Sequence, residues 1–532
     1  MKKTISLLLV LVLCMVAKGD FTFGEPTNLG LPVNSFDHDW SPSIRGDGLE
    51  MYLESDRPGG EGTYDIWVST RASKEDDWGT PTNLGAPINT PDWQNSPCIS
   101  ADGLELYWND WGLWVARRAT VSDPWGEAEN DSLINVNTSN VNSAPCLSSD
   151  GLSLFLFSWG EWGLYVSTRP TRDDLWSEPV NLGPTVNGVN STWENRDPAI
   201  SADGLLLIFS SDRDGGSGRQ DLWMTRRTTI DGPWSEPVNL GPTINSGRWE
   251  YQPEISADGK SLLFCSNRDY DDHDIYQAEV HPVVDFNGDG QVDGKDLLCM
   301  AAHWSTDDTL CDIGPYAWGD GIIDVQDVVA LAEYLGKDVN DPTLIAHWPL
   351  DETEGTTTRD IISGTDSHVL GDAIWEPDGG QIGGALQLDG TNDYVVTAPV
   401  MDPADGPFSV LAWIKGGAPG QVIISQLMGA NYLMLDAEGR LMTELASIGN
   451  NNNPLISEIK IDDRQWHRVA LVWNGQYRKL CVDNAIVAED MQDGLAGSGH
   501  RLYIGAGKNA EPGTYWSGMI DDVRIYNRVV RP

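Results

Sequence analysis

Ser256-Ala257-Asp258-Gly259, followed by Lys260-Ser261-Leu262-Leu263-Phe264, decides the fold, because the same pattern occurs five times. Asp-Gly recurs as Asp47-Gly48, Asp102-Gly103, Asp150-Gly151, Asp203-Gly204 and Asp258-Gly259, at intervals of 55, 48, 53 and 55 residues. Each pair follows a Pro-x-Ile/Leu-Ser-like segment and precedes alternating apolar residues such as Leu104, Leu106 and Trp108. That pattern reads as strand, tight turn, strand. A third strand follows, as in Asp65-Ile66-Trp67-Val68 and Asp221-Leu222-Trp223-Met224, and a fourth is Trp-x-Glu-Pro-x-Asn-Leu-Gly, seen at 176–183 and 234–241. Four short strands per unit of about 50 residues predict propeller blades. The last unit lacks its fourth strand, and a matching segment, Phe23-Gly24-Glu25-Pro26-Thr27-Asn28-Leu29-Gly30, stands at the start. Residues 20–280 therefore predict a five-bladed ring closed by its own N-terminus, which removes an open sheet edge.

The repeat resembles the TolB-type, WD-repeat-like propeller units, in which a Ser-Ala-Asp-Gly hairpin is followed by Ser-Asp-Arg. Ser55-Asp56-Arg57, Ser211-Asp212-Arg213 and the variant Ser266-Asn267-Arg268 match, whereas blades two and three read Trp108-Asn109-Asp110 and Phe157-Ser158-Trp159. The residue after the first-strand proline is Ser43, Cys98, Cys146, Ala199 and Glu254 in turn, small in four blades as a crowded axis requires. Glu254 and Asp197 read as polar residues of the channel mouth, with candidate catalytic carboxylates as the alternative, since two carboxylates can serve as acid and base. The architecture is similar to that of five-bladed glycosidases, which place three carboxylates about the axis, and the first strands offer no third. Trp40, Trp93, Trp193 and Trp249 precede four of the first strands and are expected as an aromatic sugar-stacking ring, or as packing between blades.

Composition limits the partners. With 80 Asp and Glu against 34 Lys and Arg, the formal charge of −46 argues against nucleic acid and anionic membranes. Lys2-Lys3, the apolar run 5–16 and Ala17-Lys18-Gly19 predict a signal peptide over 1–19, hence a secreted chain, extracellular or at the cell surface. No other stretch is apolar for long enough to span a membrane. Cys299 and Cys311 lie in one small module at a separation that permits a staple, and Cys98 and Cys146 occupy equivalent places in neighbouring blades and read as buried thiols, with a disulfide between them as the alternative.

Residues 281–341 carry a different signal. Asp285, Asn287, Asp289, Gln291, Asp293 and Asp296 stand at positions 1, 3, 5, 7, 9 and 12 of an acidic loop with Gly290 at 6. Oxygen donors at that spacing suit Ca2+. Asp320, Asp324 and Asp327 repeat the end of the loop, with Tyr316 and Trp318 where ligands belong, so Asp312 is expected to reach in from an altered loop. Two loop–helix units resemble dockerin type I, which implies a cohesin-type partner, or else a calcium-stiffened spacer.

From 342 to 532 the chain alternates again: Ile345-Ala346-His347-Trp348, Gly383-Gly384-Ala385-Leu386-Gln387-Leu388-Asp389-Gly390, Phe408-Ser409-Val410-Leu411-Ala412-Trp413, Gln465-Trp466-His467-Arg468 and Gly518-Met519-Ile520-Asp521-Asp522-Val523. Gly- and Asn-rich turns between alternating strands predict an antiparallel sandwich. The ordered motifs resemble the laminin-G-like, concanavalin A-like jelly roll. That resemblance implies a further calcium near the paired terminal edges, with Asp351, Asp393, Asp521 and Asp522 as candidates. Trp348, Trp413, Trp466 and Trp473 read as core. The fold class is mainly β: propeller, small helical calcium-loop module and jelly roll. The combination resembles modular secreted proteins of polysaccharide-degrading, planctomycete-like bacteria. It implies a non-catalytic protein that binds extracellular glycan or a protein partner, with a propeller-axis hydrolase or lyase, and a structural matrix protein, as alternatives.

Overall fold

The computed structural model describes residues 21–530 except 131–132, 134, 138–141, 161, 189–192, 270–271, 306–310, 337–340, 342, 448–452 and 493. The expected signal peptide lies outside the described residues. The chain divides into two compact units, one ending at Pro282 and one running from Val283.

The first unit is a five-bladed propeller. Its first blade pairs Asp39–Ile44, Glu50–Ser55, Asp65–Thr70 and Thr82–Asn83 in order. The third and fourth blades repeat this order from Asn142–Leu147 and Asn195–Ile200. The second has three strands, Asn95–Ile99, Glu105–Asn109 and Leu113–Arg117, extended by a bridge between Val115 and Glu129. The fifth runs Glu250–Ile255, Ser261–Ser266 and Asp274–Pro282, and its outer partner is Thr27–Asn28, with Thr27 opposite Gln277 and Asn28 opposite Tyr276. The N-terminus thus closes the ring as its sequence predicts. Second strands are buried on both faces, as in Leu206–Ser211, because each blade lies between two others.

Three repeated interactions explain the motif. The Asp-Gly glycines take left-handed φ values of 69–76°, open to glycine at little cost. At the end of the third strand Arg71, Arg118, Arg169 and Arg227 each donate Nε–H to the carbonyl of the turn glycine of their own blade, at 2.6–2.8 Å. The same guanidiniums lie 4.2–4.5 Å over Trp78, Trp125, Trp176 and Trp234, so the tryptophan of Trp-x-Glu-Pro is a cation–π partner that ties the fourth-strand segment down.

The third interaction is an asparagine clamp. Asn34, Asn89, Asn137, Asn187 and Asn245 accept the N–H and donate to the C=O of Ile275, Ile66, Leu113, Leu164 and Leu222, all at 2.7–3.0 Å. One amide side chain thereby does the work of a strand neighbour where the fourth strand is too short to pair.

In the second unit, two acidic loops lead into helices Gly294–Ala302 and Val325–Ala332 around a small core of Val284, Phe286, Met300, Cys311, Ile323 and Leu331. The sandwich consists of two eight-stranded antiparallel sheets. Its terminal strands Leu344–Trp348 and Ser517–Tyr526 pair with one another, and the core between the sheets includes Trp348, Phe408, Tyr432, Trp473 and Trp516. Trp413 and Trp466, expected in the core, are half-buried on outward positions of their strands.

Replacing buried Asn245 by Ala strands the N–H and C=O of Leu222. Urea unfolding of the propeller is expected to register a loss of on the order of 2–3 kcal/mol, whereas a loss below about 0.5 kcal/mol would mean that water takes over both groups.

Candidate functional site

Every first strand breaks register at the same point, as between Trp40 and Ser43 or Arg196 and Ala199. The residue before each proline, Ser41, Ser96, Ala144, Asp197 and Gln252, is left-handed with φ of 49–53°. None is glycine, so each costs about 1 kcal/mol or more. The shared strain places these five side chains, with the residues after proline, around an axial funnel of about 370 Å³ counted out to its open mouth.

Deeper in the funnel the residue after proline serves as acceptor for the next blade. Glu254 Oε1 accepts Ile44 N–H at 2.9 Å, Ser43 Oγ accepts Ile99 N–H at 3.1 Å, Cys98 Sγ accepts Leu147 N–H at 3.2 Å and Cys146 Sγ accepts Ile200 N–H at 3.3 Å. Burial holds both thiols protonated, raising Cys146 to about 12 and Cys98 well above the ordinary thiol value. Glu254 is partly exposed to the funnel, and burial raises its carboxyl to about 8. It is thus a ring-closing acceptor. Asp197, before the proline of its own blade, is buried, and its Oδ2 accepts Ser210 Oγ–H at 3.0 Å.

A third carboxylate comes from a second strand. Glu54 stands opposite Trp40, where the other blades carry Asn109, Phe157, Ser210 and Cys265. It accepts Ser41 Oγ–H at 3.0 Å, Ser96 N–H at 3.2 Å and Trp93 Nε1–H at 3.4 Å. Burial raises it to about 7, against the lowering effect of those donors. Inspection of first strands alone misses it; comparison of second-strand positions would single it out as the one acid.

The four expected tryptophans do not form one ring. Trp40 faces Glu54 in register, while Trp93 and Trp249 lie two residues, and Trp193 three, before the equivalent position of their own blades. Trp40 stacks on His273 at 4.1 Å and near Tyr251, and its Nε1–H is buried with no partner among the described residues. Burial and His38 hold His273 down at about 4, hence neutral. Trp249 packs on Tyr251 and Trp193 under Arg213. Only Trp93 is open, at 48%. Arg196 lies 5.3–5.6 Å from the rings of Phe157, Trp159 and Tyr251, joining three blades at the mouth.

The two acidic loops of the second unit match atom for atom. Asp285 Oδ1 and Oδ2 accept the N–H groups of Asp289 and Gly290; Asp312 does the same for Asp320 and Gly321. Asp296 Oδ1 accepts from Phe286 and Asn287 and its Oδ2 from Asp293, as Asp327 does from Ile313, Gly314 and Asp324. Asp312 therefore takes the first position of a loop lengthened by four residues. Asp293 and Asp324 cap the two helices through Lys295 and Gln326 N–H, and Asp289 reaches Lys295 Nζ at 2.5 Å. Asn287 Oδ1 accepts Asp289 N–H, and Gln291 lies exposed. Among the described residues no three His, Cys, Asp or Glu side chains close on one point.

Gly288 O of the first loop accepts Arg468 Nη2–H at 2.8 Å, Tyr526 O–H at 3.1 Å and Arg524 Nη1–H at 3.4 Å, all from the sandwich. Arg528 Nη2 joins Asp285 O to Asp341.

Of the sandwich acids, Asp351 and Asp521 meet at the 380–384 turn, where Asp351 Oδ1 accepts Gly384 N–H and Asp521 Oδ2 accepts Gln381 and Ile382 N–H. Asp521 Oδ1 is buried without a partner among the described residues, and burial raises the carboxyl to about 7. Asp522 instead faces His347 and Arg524, and Asp393 holds Asp372 and Asp389 N–H. The expected four-carboxylate set is therefore split.

Residues 389–532 match the family model described as the concanavalin A-like lectin/glucanases superfamily. No curated protein matches the chain. Among solved structures, a Trypanosoma rangeli sialidase with 2,3-difluorosialic acid aligns over 95% of this chain and 84% of its own, at 14% identity and a TM-score of 0.28. Domain 4 of an extracellular arabinanase from Geobacillus stearothermophilus, in complex with arabinotriose, aligns over 35% and 94%, at 17% identity and 0.26. The binding domain of Paraclostridial mosquitocidal protein 1 aligns over 35% of this chain and 49% of its own, at 12% and 0.30. The chain is mainly β, a five-bladed propeller followed by a sandwich similar to that lectin/glucanase superfamily.

Folded, Glu254 keeps its proton to about pH 8; unfolded, it releases it near the ordinary carboxylate value. Between those limits the folded state binds more protons, so stability falls as pH rises. Glu254→Gln keeps an acceptor for Ile44 and removes the ionisation. Thermal unfolding should find it more stable than the parent at pH 8, by on the order of a few kcal/mol, with little gain at pH 4. Equal gains at both values would show that the carboxyl ionises without cost.

Proposed function

We propose that this is a secreted carbohydrate-recognising protein that holds extracellular polysaccharide without cleaving it, at the open mouth of the propeller. The observation that carries this reading is the aromatic end of the funnel: Arg196 and rings from neighbouring blades gather there beside the buried, hydrogen-bonded carboxylates of Glu54 and Asp197. Aromatic faces stack on the C–H faces of sugar rings, and carboxylates and amides pair with hydroxyls. The superfamily match of the sandwich supports a second carbohydrate-binding surface. No described helix is long and apolar enough to cross a membrane, which suits an exported chain.

The specific observation behind a second reading, glycoside hydrolysis, is Glu54. With Asp197 and Glu254, which line the funnel, it makes three carboxylates from three blades, and its raised value of about 7 suits an acid. Binding remains the better reading, because Glu54 is wrapped by three donors and Glu254 is tied to Ile44. A reducing-sugar assay on a panel of soluble polysaccharides separates the two. Binding without released sugar is expected; release that disappears in Glu54→Gln and Asp197→Asn would establish the hydrolase.

We also propose Ca2+ in the acidic loops, held by Asp285, Asn287, Asp289, Gln291, Asp293 and Asp296, and by Asp312, Asp320, Asp324 and Asp327 in the second. The oxygen-only donors fit such a hard cation, and Asp289 would exchange Lys295 for it. The module resembles dockerins, and Leu298, Val325 and Val329, exposed on the helices, fit a cohesin-type partner. Since Gly288 is fastened to the sandwich, calcium at about a hundred times its dissociation constant should stabilise both together by roughly 2.7 kcal/mol. Calorimetry with calcium and with EDTA measures this, and a transition that ignores both, in the parent and in Asp285→Ala alike, would remove calcium from the account.

A further inference from the structure

The Ser-Asp-Arg motif has a structural task. In blades one, four and five Arg57, Arg213 and Arg268 reach the carbonyls of Val33, Val186 and Ile244 and the side chains of Asp39, Asn195 and Glu250. In blades one and four, segments 56–64 and 212–220 join the second strand to the third. Blades two and three lack this arginine, and their second and third strands are closer in sequence, Asn109 to Leu113 and Ser158 to Gly163. The shortened loops carry tryptophans instead: Trp111 is 83% exposed, and Trp159 and Trp162 are each 41% exposed. Trp93, 48% exposed, stands at the same end beside Glu54.

Trp111 and Trp162 are left-handed, with φ of 49° and 51°. Glycine or asparagine fills such a site readily; a bulky aromatic is strained there. The equivalent position before the third strand holds Tyr64, Gln220 and His273 in the other blades, none of them left-handed. Two adjacent blades therefore share the same strained and exposed aromatic, although Trp162 also packs on Phe157 and Trp159. Strain and exposure together at one place point to a ligand.

We propose, deepening the carbohydrate reading and resting on it, that Trp93, Trp111, Trp159 and Trp162 form a platform over blades two and three for an uncharged polysaccharide chain. Sugar rings lie flat on the exposed indoles. Polar groups stand among the rings: Asp110 Oδ2, which accepts Gln94 Nε2–H at 3.0 Å, and Arg196 beside Trp159, whose Nε is buried without a partner among the described residues. That mixture suits hydroxyl-bearing rings with apolar faces better than an apolar peptide. The formal charge of −46 repels polyuronates and sulfated chains, which leaves uncharged chains as occupants.

The test uses the full mature chain in affinity electrophoresis against glucomannan, xylan, arabinan and hydroxyethyl cellulose, with polygalacturonate as the acidic comparison. Trp111→Asn and Trp162→Asn fit the left-handed backbone, so each is expected to hold or raise the unfolding temperature while weakening binding about tenfold or more. Leu175→Ala, exposed at the opposite end of blade three, should bind like the parent. A parent that binds no polysaccharide overturns the carbohydrate reading, and this inference with it. A parent that binds while both tryptophan variants bind equally well overturns the platform alone. Retention by polygalacturonate only would overturn the uncharged chain, and a lowered unfolding temperature in the Asn variants would assign these tryptophans to folding.

Discussion

Five asparagine side chains hold the propeller's perimeter together. A fourth strand of two residues cannot satisfy the outer edge of the third strand, and an unpaired buried amide is expensive. Asn34, Asn89, Asn137, Asn187 and Asn245 supply the missing donor and acceptor, and four of them are themselves oriented by Asn28, Asn83, Asn181 and Asn239 at 2.7–3.0 Å. The arrangement explains why Asn-Leu-Gly recurs with a second asparagine four residues after its glycine. It also explains ring closure: the first such segment can satisfy only the third strand of the last blade, whose own chain continues into the second unit.

With the perimeter fixed by repetition, the axis is free to vary. The pre-proline strain is common to all five blades and makes the funnel; what fills it differs from blade to blade. Glu54 and Asp197 break the repeat chemically, and the tryptophan loops of blades two and three break it in length. Positions that the repeat preserves are occupied by structural contacts, such as arginine over tryptophan. Of these departures the tryptophans meet solvent, while Glu54 and Asp197 are buried and hydrogen-bonded.

In the second unit the two acidic loops share one hydrogen-bond scheme, although one is four residues longer. The scheme survives because it depends on a first aspartate facing the turn amides and a last aspartate at the helix start, not on the residues between. The first loop is also part of the sandwich. Three buried arginines and Tyr526 converge on Gly288, Asp285 and Asp341, so this loop is an internal joint.

Much was legible in the sequence because it is local. Asp-Gly turns, strand alternation, the strand displaced to the N-terminus and the oxygen spacing of the first loop follow from backbone preferences over a few residues, and they determined the fold class and the blade count. The candidate site was legible only in part. Trp93 is exposed, but Asp197 is buried against Ser210, Glu254 is an acceptor for the next blade, and Trp40, Trp193 and Trp249 are packed. Glu54, the exposed Trp111 and Trp162, and the split between Asp521 and Asp522 were decided by the tertiary structure. Whether a side chain is buried, strained or paired depends on what neighbouring blades and strands, distant in the chain, set against it, and no local pattern encodes that neighbour.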